Sequence, residues 1–356
     1  MPWTVSRRSW LQATGLGSIV ATLAGVRNIA GQAANPAAGH EAHHSGHLLG
    51  AVGEVEATEV SPDAYLRSFN FSHLAKAERA RWYRETPRPD GSMLREYEIF
   101  AVDREIEIAP GLKFAAWTFN GQVPGPTIRA TEGDLVRVHF ANLGSHPHTI
   151  HFHGWHPPGM DGSLPEHQVL PGRDFTYEFV AEPFGVHLYH CHSIPLKRHI
   201  HKGLYGTFIV DPKVGSREAS ENRQPDELVM MMNAFDSNFD NENEVYAVNT
   251  VAHYHMHHPI EVTVGRPVRI YLVNVTEFDL LNSFHLHGMF FDVYRTGTSL
   301  TASERTDTVV LCQGERTILE TTFRYPGDFM FHAHQSEFAE LGWMGLFRAV
   351  EAGRDT

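Results

Sequence analysis

The chain repeats itself, and that repeat limits what it can fold into more than any other feature. Glu132-Gly133-Asp-Leu-Val136-Arg137-Val-His-Phe-Ala-Asn142 aligns with Val264-Gly265-Arg-Pro-Val268-Arg269-Ile-Tyr-Leu-Val-Asn274. His151-Phe-His153-Gly154 aligns with His285-Leu-His287-Gly288, and His190-Cys191-His192 with His332-Ala333-His334. Each copy is written in short alternating runs, such as Tyr97-Glu-Ile-Phe and Phe175-Thr-Tyr-Glu-Phe in the first, and Ile260-Glu-Val-Thr-Val and Ile318-Leu-Glu-Thr-Thr-Phe in the second. Period-two alternation punctuated by Gly, Pro and Asn turns is the pattern of half-buried strands in an all-β sandwich. Two tandem sandwiches are therefore expected, over 95–212 and 228–352, joined by a polar linker at 213–227 that opens on Asp211-Pro212. A chain of 356 residues is long enough to give each its own core.

The residues before the repeat read differently. Ser6-Arg7-Arg8-Ser9-Trp10 precedes an apolar stretch from Leu16 to Val26, too short for an ordinary membrane span. Residues 1–34 read as an export signal whose paired arginines resemble a twin-arginine leader, a route that carries folded, cofactor-loaded protein to the periplasm. Residues 35–94 read as a linker rich in Ala, Gly and His (His40, His43, His44, His47) followed by a short helical extension over 62–85, with Ser61 as cap and Pro62 in its first turn. With a formal charge of -13, the chain is a poor partner for nucleic acid or anionic lipid.

The chemistry sits in the histidines. Cys191 lies between His190 and His192, and His199 and His201 follow a short turn later. On a strand, neighbours leave opposite faces, so the Cys191 sulfur and the two imidazoles can touch different metal centres. A thiolate with two imidazoles and a weak or absent axial ligand is the donor set of a blue copper site, whereas structural zinc wants four strong ligands. Only one other cysteine exists, Cys312, which reads as a buried strand-end residue. Four His-X-His pairs at duplicated positions, His190 and His192 among them, supply eight imidazoles, each pair sharing one strand face. The second copy has lost the thiolate: Ala333 stands for Cys191, Asn282 for His148, and no histidine matches His199.

On His148-Thr-Ile-His151-Phe-His153-Gly154, the His190-Cys191-His192 loop and their repeats, the chain resembles the two-domain, laccase-like multicopper oxidases and the related copper nitrite reductases. The resemblance implies two cupredoxin-like Greek-key domains holding copper, about four ions per functional unit in type 1, type 2 and binuclear type 3 sites. It assigns His148, Cys191 and His199 to the type 1 copper, with Leu204 at the axial position. His199 is preferred to His201 because His199-X-X-X-Gly203-Leu204 reproduces the family ending. It assigns His151 and His285 to the type 2 copper, and His153, His190, His192, His287, His332 and His334 to the type 3 pair. It further implies a homotrimer with trinuclear sites between subunits, O2 as acceptor, and a small-molecule or metal-ion reductant. Asp161 resembles the family acid on the type 2 side, and Glu337 is a second candidate for proton delivery. A nitrite reductase is the alternative, but the resemblance puts an aspartate at position 151 and a non-ligand at 192 in those enzymes. A periplasmic electron carrier or copper-sequestering protein without turnover is the third reading. His253-Tyr-His255-Met-His257-His258 could then bind extra copper, although a surface loop is the simpler reading.

Overall fold

The computed structural model describes residues 60–213 and 224–353. The leader, the stretch with His40, His43, His44 and His47, and most of the linker lie outside the described residues. What is described is mostly strand, arranged as two pairs of sheets. In the first half, Tyr83–Pro87, Met93–Ala109, Leu135–Asn142 and Asp174–Val180 pair in that order, with Leu112–Phe119 also on Met93–Ala109. Facing them is the sheet Gly125–Thr131, Tyr205–Asp211, Gly185–His190 and His151–Phe152. The second half repeats both. Asp226–Phe235 runs parallel to Pro267–Asn274 as Met93–Ala109 does to Leu135–Asn142, and Ile260–Thr263 runs parallel to Met344–Val350 as Gly125–Thr131 does to Tyr205–Asp211. The register of the histidine strands is repeated too: His151 faces His190, and His285 faces His332.

Alternation explains why some strands are apolar on both faces. In Asp226–Phe235, Leu228, Met230 and Met232 enter the core of the second sandwich, while Val229, Met231 and Phe235 enter a third core shared with the first. Leu204, Phe208 and Val210 likewise fill the first core, and Tyr205 and Ile209 fill the shared one. Each fully buried apolar side chain of this size contributes about 1.5–3 kcal/mol, so the two halves are held as one body by apolar burial. Charges reinforce the join. Arg129 of the first half pairs with Glu227 of the second at 2.7 Å as well as with Asp211 at 2.8 Å.

The extension departs from the sequence reading. Pro62–Leu66 and Lys76–Trp82 are helices, the first capped by the Ser61 hydroxyl, but the chain between them is a set of turns with Asn70 and Phe71 at positive φ. The single helix over 62–85 fails because Tyr65 is drawn into the shared core and Leu66 into the second, while Tyr83–Pro87 joins the first sheet. Cys312 ends the strand Thr308–Cys312 as expected, yet it is exposed, not buried: Val309 and Leu311 take the inner face and Val310 and Cys312 the outer. No described helix is long and apolar enough to cross a membrane.

Candidate metal centres

Three donors converge at the end of the first sandwich. His148 follows Leu135–Asn142 through a loop that Asn142 pins by donating to the His146 and Val169 carbonyls at 2.7 Å. Cys191 follows Gly185–His190, and His199 sits on the helix Leu196–His201. His148 Nδ1 lies 3.2 Å from His199 Nδ1, and the Cys191 sulfur lies 3.3 Å from His199 Nδ1 and 3.8 Å from His148 Nδ1. Donors about 2 Å from one ion in a trigonal plane stand about 3.5 Å apart, so this triangle fits a blue copper ion. The charge states fit as well. Burial, helped by the neighbouring His199, holds His148 down to about 3, and burial holds His199 down to about 4, so both imidazoles offer lone pairs at neutral pH. Burial pushes the Cys191 thiol up, a cost that a bound cation offsets by favouring thiolate. The Thr149 amide donates to the sulfur at 3.4 Å. Leu204 is buried against this site, its carbonyl accepting from the Cys191 amide at 2.9 Å, and it presents no donor atom.

The helix also separates the two candidate histidines. Residues i and i+2 lie about 200° apart around a helix, so His201 points away from Cys191. Its Nε2 accepts from the Asp236 amide at 2.9 Å.

The His-X-His pairs form two matching clusters. In the first, His153 Nε2 lies 3.3 Å from His190 Nε2, and the His151 ring stands 5.3–5.4 Å from those of His153, His190 and His192. In the second, His287 Nε2 lies 3.0 Å from His332 Nε2, and the His285 ring stands 5.0–5.3 Å from His287, His332 and His334. The scaffold that aims them is duplicated. His151 Nδ1 donates to the Asp161 carbonyl at 2.7 Å and His285 Nδ1 to that of Asp307 at 2.9 Å. His190 Nδ1 donates to the Cys191 carbonyl at 2.9 Å and His332 Nδ1 to that of Ala333 at 2.6 Å. The amide of His192 donates to Thr149 Oγ1, and that of His334 to Ser283 Oγ. Using Nδ1–H in this way leaves Nε2 free for a metal. Burial, with His190 and Arg316 adding, holds His153 down to about 2; burial holds His190 down to about 4. Such donor sets fit copper. Among the described residues, no hydrogen bond or ring contact joins the two clusters, and His287 and His334 are exposed.

Asp161 closes one side of the first cluster. Its carboxylate lies 3.3 Å from His151 Nδ1 and 3.7 Å from His156 Nε2, with Ser163 hydrogen-bonded to it. Burial opposes ionisation, but Ser163, His151 and His156 outweigh it and hold the carboxyl below the usual range. Gly162 fixes this loop. Its φ is +74°, and a Cβ there would meet the Ile150 carbonyl at 2.3 Å. Glu337 lies exposed in the first turn of the helix Ser336–Glu340, where its charge bears on Tyr246. His156, His146 and Trp117 were missed by sequence reasoning. His156 had a signal, three residues past His153; the Trp117 ring, 4.7 Å from that of His199, had none. His253 to His258 do not converge: His255 is buried, and its Nδ1 approaches the His258 carbonyl at 3.3 Å.

Known proteins resemble this chain. Residues 102–215 and 221–352 match two family models, each described as multicopper oxidase. A solved structure described as a multicopper oxidase is 52% identical, covering 83% of this chain and 99% of its own, with a TM-score of 0.75. A blue copper oxidase from Nitrosomonas europaea is 29% identical over 71% of this chain and 85% of its own, with a TM-score of 0.65. The copper-containing nitrite reductase of Neisseria gonorrhoeae is 29% identical over 272 residues; the match takes in 71% of this chain and 64% of that protein. The chain thus spans just under two thirds of the nitrite reductase it matches. With both halves of the repeat matched and the cupredoxin-like fold in place, the chain belongs to the multicopper oxidase family.

Proposed function

We propose that the protein is a laccase-like oxidase that takes single electrons from a reducing substrate and passes them to O2. His148, Cys191 and His199 would hold the type 1 copper, with Leu204 leaving the axial position without a donor. The eight histidines of the two clusters would hold the type 2 copper (His151, His285) and the type 3 pair (His153, His190, His192, His287, His332, His334). Copper there would supply one-electron chemistry at the first site and the four-electron reduction of O2 to water at the assembled cluster.

The chain's own residues set up the rest. Cys191 is bonded through the backbone to His190 and His192, which links the two sites by the shortest covalent route. The buried first site excludes water and keeps both imidazoles neutral. Asp161, in contact with His151 and with His156 on its outer side, would orient His151 and relay protons. Two half-clusters that do not meet in one chain support a homotrimer in which a neighbour completes each. Exposed apolar side chains follow the histidines closely in the chain: Trp155 and Ile194, two residues past His153 and His192, are 66% and 81% exposed, and Phe290, three past His287, is 56% exposed. Export through a twin-arginine leader to the periplasm belongs to the same reading.

The observation that carries the proposal is the four-imidazole composition of each half, including His151 and His192, where the resemblance gives nitrite reductases a carboxylate and a non-ligand. Nitrite remains the competing acceptor because nitrite reductases are among the relatives. Copper-loaded protein with a phenolic donor is offered O2, and separately nitrite without O2. O2 uptake with no nitrite turnover is expected; nitrite turnover without O2 uptake overturns the proposal.

A further inference from the structure

The three donors of the first site are sealed: His148 and Cys191 are fully buried and His199 is 3% exposed. A reductant cannot touch them, so whatever lies over them must carry the electron. Trp117 is part of that layer. The Trp117 indole stands 4.7 Å from the His199 ring and 5.4 Å from the His148 ring, and it is itself only 7% exposed. It is fixed by its strand, Leu112–Phe119, and by its amide, which donates to the Lys202 carbonyl at 2.9 Å. On it lie two exposed groups, the His146 ring at 4.5 Å and the Arg198 guanidinium at 5.9 Å.

The rim of this spot is basic. Arg198 and Lys197 are exposed on one helical turn, Arg198 over Trp117 and Lys197 further round on the His201 side, resting on the Phe278 ring at 4.0 Å; among the described residues neither has a carboxylate within ion-pair distance. Lys202, beside them, lies over Phe114 and Phe239 and donates to the Ala115 carbonyl. Acids face the rim too: exposed Asp103, which accepts from the Ser145 hydroxyl, and Glu277, which burial, with Lys197 opposing, pushes up to about 7. The whole chain carries -13, so a cationic spot over the electron-accepting site is a local exception to the field around it.

We propose that the reducing substrate is a small anionic molecule that docks at Arg198 and His146, with Lys197 adding positive charge from the next face of the helix, and delivers its electron to the type 1 site through Trp117. This rests on reading His148, Cys191 and His199 as that site. In the step one electron leaves the anion and one Cu(II) becomes Cu(I); no bond forms or breaks. A small anion fits better than an acidic redox protein, because the rim is one helical turn and the remaining charge of the chain repels a large acidic surface at long range.

The test is anaerobic stopped-flow bleaching of the thiolate band, with hexacyanoferrate(II) as anionic and hexaammineruthenium(II) as cationic reductant, at low and high salt. Lys197→Gln with Arg198→Gln is expected to slow the anion about tenfold at low ionic strength, leave the cation no slower, and lose the difference at high salt. Trp117→Leu is expected to slow both reductants by the same factor with the type 1 potential and thiolate band unmoved, and Trp117→Phe to restore most of the rate. Copper-free protein gives a second readout: hexacyanocobaltate(III), a redox-inert anion, is expected to bind it in calorimetry and to bind the double variant about tenfold more weakly. Anion rates and binding indifferent to Lys197 and Arg198, or a Trp117→Leu rate equal to wild type, would overturn the proposal. Missing O2 uptake with these results intact sinks the oxidase reading alone; failure of these arms with O2 uptake and thiolate band intact sinks the docking proposal alone. A copper-loaded protein with no thiolate band overturns the type 1 assignment and this proposal with it.

Discussion

Phe152 ties the fold to the site, and replacing it by alanine separates what each contributes. It sits between His151 and His153, so the alternation that sends those imidazoles outward sends its ring into the first core, where it is 1% exposed. Four rings surround it: Phe179 at 4.9 Å, Tyr189 at 5.6 Å, and Tyr177 and Phe208 at 5.9 Å. These neighbours stand on strands from both sheets and cannot all close in, so a cavity stays and Phe152→Ala costs about 3–5 kcal/mol. Phe152→Leu keeps most of the volume and costs about 1–2 kcal/mol. The strand His151–Phe152 is two residues long, so its position rests on this anchor more than on its ladder. Copper binding at His151 and His153 is therefore expected to fall with stability. Urea unfolding of the copper-free protein measures the first effect, and copper per chain against thiolate-band intensity measures the second. A stability loss below about 1 kcal/mol, or loss of the thiolate band with the other copper retained, would refute the reasoning.

Three further outcomes follow from the site. His199→Ala is expected to abolish the thiolate band, while His201→Ala leaves it and costs only the hydrogen bond from the Asp236 amide; optical spectra of the two variants decide it. Copper-free protein is expected to lose stability as pH falls from about 6.5 toward 4. His148, His190 and His201, held down to between about 3 and about 4, stay neutral in the fold while the unfolded chain takes up protons, each adding a slope of at most about 1.4 kcal/mol per pH unit. Urea midpoints at pH 7.5, 6 and 5 check it, and a flat profile contradicts it. Asp161→Asn keeps the contact with His151 but removes the carboxylate. It is expected to slow O2 turnover at least about tenfold and leave anaerobic bleaching of the thiolate band at its wild-type rate.

What was legible in the sequence was whatever the duplication wrote twice. The sheets and the four His-X-His pairs rest on period-two patterns that the chain states in both halves. What was hidden was written once. Choosing His199 over His201 from geometry needs the knowledge that 196–201 is a helix, since a strand would have put both on one face. Trp117 reaches the site from a distant strand, and nothing local marks it. The exposure of Cys312 depended on a one-residue register that the apolar run Val309-Val310-Leu311 left ambiguous. The break in the expected helix over 62–85 came from burial of Tyr65 and Leu66 between cores, a tertiary effect that overrode local propensity.

The most direct test of the central claim is the electron count of turnover. Copper-loaded protein is given a measured amount of one-electron reductant in an oxygen electrode, and the O2 consumed and any peroxide are quantified. Four equivalents of reductant oxidised per O2, with no peroxide, is the expected result. Two equivalents per O2 with peroxide accumulating, or no O2 consumed while the thiolate band still bleaches, would contradict a trinuclear site built from the two half-clusters.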